Sequence, residues 1–318
     1  MAEPIKTLCV TGCLGFIGSH FTRAALKKGW RVWGVDKKTY AAHDEWLTEF
    51  EKNPNFRFQY ADIAKLDHLF DVDYVINFAA ETHVDNSIVD STHFLRSNIM
   101  GVQNLLELIR AKRHYQMPVM VQISTDEVYG DIDKGFHRTS DPLLPSNPYA
   151  ASKASGDMLI LAWHRTHEVP YVIIRPTNNF GIGQYPEKLI PKAVKHLVLG
   201  KLIPLHGDGS CVRNWLHVED TIAGILTILE KGKLNRIYNI SGNYECPNTH
   251  VIKSVLKSFF GRTVSMARYV KTQYVRQGED VRYGVDDKAL RNLGWTNKKK
   301  FEREIVKIVR YYKSKIVW

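Results

Sequence analysis

The sequence predicts an α/β fold: a Rossmann-type doubly wound parallel sheet with a smaller mixed α/β domain. Short apolar runs typical of strands alternate with helical patterns up to residue 175, and such alternation implies a parallel sheet with right-handed crossovers. Beyond Pro176 the pattern changes to loops rich in turn residues and then to a mixed region with no internal repeat. No low-complexity linker separates the two parts, so we expect the cleft between them to be fixed.

The first element is a short apolar strand over residues 5–10, and a glycine-rich loop joins it to a helix. The loop carries Gly12, Gly15 and Gly18, and the helical pattern ends at Gly29. In a strand–loop–helix unit the first glycine permits the tight turn, the second lets the backbone approach a pyrophosphate, and the third lets the helix pack on the strand. The loop therefore predicts that this domain binds a dinucleotide.

The second strand, over residues 31–35, leads directly into Asp36. A carboxylate at this position would accept hydrogen bonds from the hydroxyls of an adenosine ribose and would repel a 2′-phosphate. The sequence therefore favours NAD over NADP. Lys37 and Lys38 weaken the distinction because a neighbouring cation could tolerate the phosphate, and Asp36 could also be an ordinary turn acid.

The later elements follow the same alternation. A strand over residues 56–60 leads to Asp62 and Ile63, a placement suited to the adenine edge of a dinucleotide. Apolar residues at helical spacing predict a long helix over residues 93–112. The other predicted elements are strands at 74–78, 119–123, 171–175 and 237–240 and helices at 148–167 and 221–231.

Side chains that could transfer protons follow the strand at residues 119–123. Asp126 and Glu127 lie just beyond its end, and Tyr149 and Lys153 lie one helical turn apart. Chemistry in an open parallel sheet collects beyond the carboxyl ends of the strands, so these four residues predict a proton-transfer site. A Tyr and a Lys at this spacing are common by chance, and the two acids could instead cap a turn.

Composition excludes several classes of protein. The chain has 318 residues, 44% hydrophobic and 24% charged, which is ordinary for a soluble globular protein. No apolar run reaches the roughly 18 residues needed to span a bilayer, and no signal-peptide pattern is found. We therefore expect a cytoplasmic protein without a membrane partner. Four cysteines without zinc-ribbon spacing indicate reduced thiols and no metal site.

The formal net charge of +11 permits a nucleic-acid partner. The basic residues are spread rather than striped, however, and the densest run, at 298–300, leads into a tail with apolar residues at helical spacing. We therefore expect a packed terminal helix and no nucleic-acid binding. An anionic small substrate explains part of the positive charge more economically.

Nearly the whole chain resembles one family, the extended short-chain dehydrogenase/reductases, and within them the nucleotide-sugar 4,6-dehydratases of the dTDP-glucose 4,6-dehydratase type. Thr125, Asp126 and Glu127 are the most specific feature, since 4-epimerases of this fold usually carry Ser and small residues there. The segments that carry the resemblance are residues 12–18, 79–85, 123–130, 148–154, 178–191, 207–220, 238–240 and 278–283.

The resemblance implies a redox-neutral dehydration of dTDP-glucose, UDP-glucose or both, with NAD retained as the cofactor. Tyr149 would take the proton of the C4 hydroxyl, its phenol made more acidic by Lys153 and by the nicotinamide charge, and Thr125 would hydrogen-bond near the C4 oxygen. Glu127 would remove the C5 proton, and Asp126 would protonate the hydroxyl that leaves C6. Two acids are needed because one must be protonated while the other is ionised.

The resemblance also implies which residues contact the ligands. Simpler interpretations stay open for Arg213 as a surface cation, Asn178 as a turn cap and His83 as an exposed loop residue. The implied cofactor contacts are Gly12, Gly15, Phe16, Ile17, Gly18, Asp36, Asp62, Ile63, Ala79, Ala80, Ser97, Tyr149 and Lys153. The implied substrate contacts are His83, Thr125, Asn178, Glu187, Lys188, Leu189, Arg213, Asn239, Arg276 and Tyr283.

The domain organisation and assembly follow from the same resemblance. Residues 1–177, with about 213–241 returning to them, are expected to form the NAD-binding domain, and residues 178–212 and 242–318 the nucleotide-sugar-binding domain. Helices near 93–112 and 149–167 are expected to form a homodimer interface.

Two departures from the family pattern leave questions open. Cys13 and Leu14 replace the usual small residues of the glycine loop, which should be harmless if backbone amides bind the ligand. Residues 275–283 lack the proline, histidine and second arginine common there, so the choice between thymidine and uridine stays open. A 4-epimerase or decarboxylase on the same fold would need neither Asp126 nor Glu127, and a catalytically inactive NAD-binding partner protein is a further alternative.

Overall fold

The computed structural model describes residues 5–315, which contain twelve strands and eleven α-helices. The strands are β1 (Thr7–Thr11), β2 (Arg31–Asp36), β3 (Phe56–Tyr60), β4 (Tyr74–Asn77), β5 (Val119–Ile123), β6 (Tyr171–Pro176), β7 (Asn178–Phe180), β8 (Ile203–His206), β9 (Val212–His217), β10 (Arg236–Ile240), β11 (Glu245–Pro247) and β12 (Val270–Gln273). The helices are α1 (Phe16–Lys27), α2 (Asp44–Phe50), α3 (Val84–Val89), α4 (Thr92–Phe94), α5 (Gly101–Arg110), α6 (Pro148–His167), α7 (Leu189–Val198), α8 (Val218–Lys231), α9 (Asn248–Phe260), α10 (Lys288–Arg291) and α11 (Phe301–Ser314).

Seven strands form one parallel sheet in the order β10-β6-β5-β4-β1-β2-β3. The predicted doubly wound parallel sheet is therefore confirmed. The strand order reverses beside β1, which lies between β2 and β4, and such a reversal opens a crevice at the carboxyl ends of the strands. The edge strand β10 comes from the C-terminal half and pairs with β6.

Apolar clusters cover both faces of this sheet because successive side chains of a strand point to opposite faces. Leu8 and Val10 of β1 belong to the cluster that also contains residues of α1 and α8. Cys9, between them, belongs to the cluster that contains residues of α5 and α6. Helices thus pack on each side of the sheet.

A separate apolar cluster organises the smaller α/β region. It joins α7, α9 and α11 to a three-stranded sheet of order β11-β9-β7 and to the parallel pair β12-β8. Ile305, Ile308 and Tyr312 of α11 are buried in this cluster. The predicted packed terminal helix is confirmed. None of the helices within residues 5–315 combines the length and the apolarity needed to cross a bilayer.

The helix predicted over residues 93–112 is interrupted by a π-helical segment, Leu95–Met100, between α4 and α5. The wider turn buries both Ser97 and Asn98. The Asn98 side chain accepts a hydrogen bond from the Glu81 amide (2.9 Å) and donates one to the Glu81 carbonyl (3.0 Å). Apolar periodicity could not reveal this π-helical segment, because its buried side chains, Ser97 and Asn98, are polar. Asn98 also bonds to Glu81, which lies in a loop distant in sequence.

Candidate active site

Two adjoining clefts lie beyond the carboxyl ends of the parallel strands. The first, the sheet cleft, has a volume of about 300 Å³ and runs from the glycine loop 12–18 to residues 123–127 after β5. The second, the outer cleft, has a volume of about 190 Å³ and is lined by parts of residues 82–85, 187–192 and 276–283. Glu127 lines both clefts, so ligands bound in the two clefts would meet beside this carboxylate.

The glycine loop presents backbone atoms to the sheet cleft. Gly12 has a φ of +66°, and a Cβ atom there would lie 2.6 Å from the Ala79 nitrogen. A Cβ atom at Gly18 would lie 2.1 Å from the Gly12 carbonyl oxygen, whereas at Gly15 the nearest atom is 3.4 Å away. No side chain caps the N-terminus of α1, so the amides of its first turn are open to phosphate oxygens. The loop therefore fits the pyrophosphate of a dinucleotide.

Asp36 is held in a fixed orientation at the end of β2. Its carboxylate accepts hydrogen bonds from the amides of Leu14 (3.0 Å) and Lys38 (2.8 Å). Lys37 contacts the hydroxyl of Ser97 and the carboxylate of Glu81, each at 3.3 Å. Because Lys37 is already paired with Ser97 and Glu81, it is not available to bind a 2′-phosphate. The Asp36 carboxylate is left to bind the ribose hydroxyls, which favours NAD over NADP.

The predicted cofactor contacts lie along the sheet cleft with one exception. The carboxylate of Asp62 accepts a hydrogen bond from the Ala64 amide (3.0 Å) and pairs with Arg96 (3.5 Å). This capping role ties Asp62 to its own turn, and its neighbours Ala61 and Ile63 line the cleft instead. The predicted contacts that line the cleft are Gly12, Gly15, Phe16, Ile17, Gly18, Asp36, Ile63, Ala79, Ala80, Ser97, Tyr149 and Lys153.

The predicted catalytic side chains meet at the end of the sheet cleft nearest β5. Thr125 begins a short 3₁₀ turn, and its hydroxyl accepts a hydrogen bond from the Glu127 amide (3.3 Å). Asn147 caps α6 by accepting a hydrogen bond from the Ala150 amide (2.9 Å), which places Tyr149 in the first turn of that helix. These two local motifs place Thr125 and Tyr149, which come from different elements, in the same part of the sheet cleft.

Lys153 lies one helical turn beyond Tyr149, and its Nζ donates a hydrogen bond to the Ile123 carbonyl (2.7 Å). Burial lowers the pKa of Lys153 to about 8, while the charge of Asp157 raises it. Asp157 accepts hydrogen bonds from Arg175 and Ser124, each at 3.0 Å. Asp157 and Arg175 form a buried ion pair close to Lys153, and this pair was not predicted from the sequence.

Burial and charge give the two adjacent acids different proton affinities. Asp126 is 2% exposed, and burial followed by the charge of Glu127 raises its pKa to about 8. Burial also raises the pKa of Glu127, but the cations Arg213, Lys188 and Arg276 oppose this shift. Asp126 is therefore the acid that keeps a proton at neutral pH, and Glu127 is the better candidate for the ionised base.

That Lys153 and the nicotinamide charge together make the Tyr149 phenol more acidic stays a prediction. Burial, followed by the charge of Glu127, raises the pKa of Tyr149, and a hydrogen bond with Thr125 opposes this only in part. The Lys153 ammonium is directed at a backbone carbonyl instead. The nicotinamide charge of a bound NAD would act against this shift.

Cations from separate elements line the outer cleft. Lys188 precedes α7, and Arg213 lies on β9 with its guanidinium 4.7 Å from the ring centre of Tyr283. Arg276 pairs with Asp85 at 2.6 Å. Guanidinium and ammonium groups in this arrangement suit the oxygens of a diphosphate.

The predicted substrate contacts line one of the two clefts with one exception. Asn239 is 1% exposed, accepts a hydrogen bond from the Tyr129 hydroxyl (2.9 Å) and donates to the Asp286 carbonyl (3.2 Å). These bonds hold it inside the protein, away from both clefts. The outer cleft is lined by His83, Asn178, Glu187, Lys188, Leu189, Arg213, Arg276 and Tyr283, and the sheet cleft by Thr125.

The structure also bears on the three simpler interpretations. Arg213 is 8% exposed and is therefore not a surface cation. Asn178 begins β7, and its side-chain oxygen is buried without a hydrogen-bond partner in the described part of the chain. His83 caps α3 by accepting a hydrogen bond from the Asn86 amide (3.3 Å), and it also lines the outer cleft. For His83 both interpretations hold.

Several residues of the outer cleft were missed by sequence reasoning. Asp85 lies 3.4 Å from His206 in addition to its pairing with Arg276. It ends the recognised segment 79–85 and could have been found there. The other missed residues are Lys192, His206, Asn248, Glu279 and Asp280, which come from separate segments of the chain.

Comparisons with known proteins agree with this geometry. Residues 9–308 match the family model described as GDP-mannose 4,6 dehydratase. A dTDP-glucose 4,6-dehydratase of Streptomyces niveus is 41% identical over 98% of this chain and 94% of its own length. A trifunctional UDP-glucose 4,6-dehydratase/3,5-epimerase/reductase of Arabidopsis thaliana is 36% identical over 98% of this chain and 48% of its own length. The crystal structure of a dTDP-glucose 4,6-dehydratase of Streptomyces venezuelae, with NAD and TDP bound, has a TM-score of 0.89 at 38% identity and covers 97% of both chains.

Proposed function

The chain belongs to the family of NAD-dependent nucleotide-sugar 4,6-dehydratases, and from this premise we propose that it converts UDP-glucose, dTDP-glucose or both to the 4-keto-6-deoxy-glucose nucleotide and water. One observation carries the proposal. Asp126 and Glu127 are adjacent, and the shifts in their pKa values separate an acid from a base. Both line the sheet cleft, and Glu127 also lines the outer cleft. A 4-epimerase has no need for such a pair.

The residues of the sheet cleft fit NAD. The amides at the start of α1 and the open face of Gly15 suit its pyrophosphate, and Asp36 suits the adenosine ribose. Lys153 would hold the nicotinamide ribose. When bound there, NAD supplies an acceptor for the hydride of C4 and later a donor of hydride to C6.

The protein groups then move three protons. Tyr149 takes the proton of the C4 hydroxyl, with Thr125 hydrogen-bonded beside the same oxygen. Oxidation at C4 makes the C5 proton acidic, and the Glu127 carboxylate removes it. Asp126 gives its proton to the C6 hydroxyl, so the C6–O bond breaks and water leaves. When hydride is added at C6, Glu127 returns the proton to C5, which completes the 4-keto-6-deoxy sugar. The raised pKa of Asp126, about 8, suits it to donate at neutral pH.

Assaying UDP-glucose and dTDP-glucose side by side tests this function. We expect a product one water lighter than the substrate, with the near-ultraviolet absorbance in alkali of a 4-keto-6-deoxy sugar and no net consumption of NAD. A galactose nucleotide would identify an epimerase, and stoichiometric loss of NAD would contradict the redox-neutral cycle. No turnover of either substrate would support a non-catalytic NAD-binding protein.

The assembly and the location are also proposals. Leu95, Met100 and Met158, which lie within or beside the two helices predicted for the interface, are 46%, 58% and 46% exposed. Exposed apolar side chains of this kind support a homodimer through that face. All four cysteines are free thiols, which supports a reducing cytoplasmic environment.

A further inference from the structure

A buried hydrogen-bonded network connects α6 and β6 to the short turn that carries the two acids. Arg175 of β6 donates hydrogen bonds to Asp157 of α6 (3.0 Å) and to the hydroxyl of Tyr129 (2.8 Å), the last residue of the turn Asp126–Tyr129. These three side chains are at most 1% exposed, and none of them lines either cleft. Any part that they play in the reaction must therefore act through other residues.

The same carboxylate also holds the other end of the turn. The hydroxyl of Ser124, the residue just before Thr125, donates a hydrogen bond to Asp157 (3.0 Å). Arg175 links Asp157 to Tyr129 as well. The segment 125–128, which contains both acids, is therefore fixed on each side to one side chain of α6.

Helix α6 carries Tyr149 and Lys153 in addition to Asp157. Lys153 lies one helical turn before Asp157, and its ammonium donates to the carbonyl of Ile123 (2.7 Å), the last residue of β5. A helix has a fixed rise per residue, so a contact made by Asp157 also sets the position of the other two side chains. The network therefore sets the distance from Tyr149 to the acids.

Stability gives no sufficient reason for this buried ion pair. Removing two charges from water is costly, and replacing such a pair by apolar side chains of similar volume is often neutral or stabilising. One oxygen of Asp157 is in addition buried without a hydrogen-bond partner among residues 5–315, which adds to the cost. The reaction supplies a reason, because its two halves must act on one bound hexose.

We propose that Asp157, Arg175 and Tyr129 are positioning residues that hold the acids 126 and 127 in register with Tyr149, so that oxidation at C4 is followed by elimination on the same hexose. The inference rests on the proposed function and adds the contacts that couple its two halves. Loss of the network should spare hydride transfer and slow the later step, because a displacement of about 1 Å can cost about 10²-fold in rate.

Tyr129→Phe tests the inference, because it removes one hydroxyl and changes no charge. We expect reduced nicotinamide to form in the first turnover at a rate close to that of the parent. Exchange at C5 and loss of water should be slower by about 10–10²-fold, so reduced cofactor should accumulate on the enzyme during turnover. Stopped-flow absorbance and mass spectrometry measure the two steps. Equal slowing of both steps, or no change in either, would overturn the proposal.

Tyr238→Phe is the matched control. The Tyr238 hydroxyl is also buried and accepts a hydrogen bond from the Lys233 amide (2.8 Å), outside the network. Both variants leave a buried partner without its hydrogen bond and should lower the Tm. Tyr238→Phe should nevertheless keep the parent ratio of C4 oxidation to C5 exchange. If it shifts that ratio as much as Tyr129→Phe does, general destabilisation causes the effect and the proposal is wrong.

A double-mutant cycle tests whether the residues act as one unit. Arg175→Lys keeps a charge beside Asp157, but an ammonium replaces the planar fork that reaches both Asp157 and Tyr129. This variant should therefore slow C5 exchange as Tyr129→Phe does. Combining the two substitutions should add little, because both break the same link. Fully additive effects would show that the residues act separately and would contradict the proposal.

Hydrogen–deuterium exchange of the NAD-loaded protein separates this inference from the proposed function, because it needs no turnover. Peptides that cover residues 124–130 should exchange faster in Tyr129→Phe than in the parent, and at the parent rate in Tyr238→Phe. Faster exchange in Tyr129→Phe together with an inactive parent would contradict the dehydratase assignment alone. An active parent together with unchanged exchange in Tyr129→Phe would overturn the positioning role alone.

Discussion

Asp126 and Glu127 are neighbours in the chain, yet their surroundings act on them in opposite ways. Asp126 is buried and Glu127 is partly buried, and loss of contact with water disfavours the charged form of each. The cations of the outer cleft oppose this effect chiefly at Glu127, and the charge of Glu127 then adds to the shift at Asp126. One acid and one base therefore arise from two residues of the same chemical class, as the elimination of water requires.

Asp126→Asn should slow the loss of water, because an amide cannot supply the proton that the leaving hydroxyl needs. We expect kcat to fall by about 10²–10⁴-fold, the usual contribution of a general acid. Exchange of the C5 hydrogen with solvent deuterium, followed by mass spectrometry, should continue in this variant. Unchanged kcat would show that another group protonates the C6 hydroxyl.

Glu127→Gln should nearly abolish exchange of the C5 hydrogen, because the amide is not a base. Tyr149 and Lys153 are intact in this variant, so oxidation at C4 should still occur and can be followed by the absorbance of reduced nicotinamide. C5 exchange at the rate of the parent would refute Glu127 as the base.

The stability of the protein should depend on the protonation of Asp126. Its pKa is raised to about 8 in the folded chain, from about 3.9 in an unfolded one. The folded state therefore binds more protons between these values, and the free energy of unfolding falls as the pH rises through this range. The Asp126→Asn variant does not have this titrating group, so the Tm of the variant minus the Tm of the parent should increase between about pH 5 and pH 8. A difference in Tm that does not change with pH would contradict the raised pKa of Asp126.

The first strand, the glycine loop and α1 act as one unit. Gly18 lets α1 approach the loop so closely that even a Cβ atom would meet the Gly12 carbonyl at 2.1 Å. Gly15 has more space, and its open side faces the sheet cleft. The two glycines therefore serve different purposes, one in packing and one in ligand binding.

Alanine substitutions should separate these two purposes. Gly18→Ala should destabilise the protein by roughly 1–3 kcal/mol, as overpacking does, and lower its Tm in the absence of NAD. Gly15→Ala should leave that Tm close to the parent value but weaken NAD binding, because its Cβ enters the space of the pyrophosphate. Thermal melts with and without added NAD measure both effects, and equal loss of Tm in the two variants would contradict the distinction.

Several contacts between distant segments of the chain hold the outer cleft in shape. Asp85 pairs with Arg276, and the carboxylate of Asp131 accepts hydrogen bonds from the amides of Val281 (3.1 Å) and Arg282 (2.8 Å). These bonds set the position of residues 276–283 over the cleft.

A charged side chain among the exposed apolar residues Leu95, Met100 and Met158 tests the proposed homodimer. Met158→Glu should convert a dimer to a monomer, because burying an unpaired carboxylate in the interface is costly. Val306→Glu, at an exposed apolar position of α11, is the matched control. Light scattering during size-exclusion chromatography measures the mass of each species. A monomeric parent at working concentration would count against the dimer.

Local patterns in the sequence were enough to predict the parallel sheet, the glycine loop and the acids after β5. Strand and helix periodicity and the spacing of glycines report on neighbours in the chain, and the carboxyl ends of parallel strands share one edge whatever the details of packing. The pattern could not show the π-helical segment or the burial of Asn239, because each depends on partners distant in sequence. The capping role of Asp62 is a local contact with the Ala64 amide, and the sequence prediction overlooked it.

The pKa values and the outer cleft were decided by the tertiary structure alone. Burial and the charges of Arg213, Lys188 and Arg276, which come from separate segments of the chain, determine which acid keeps its proton. These shifts arise only in the folded chain, because desolvation and the proximity of distant charges are properties of its packing and not of its composition.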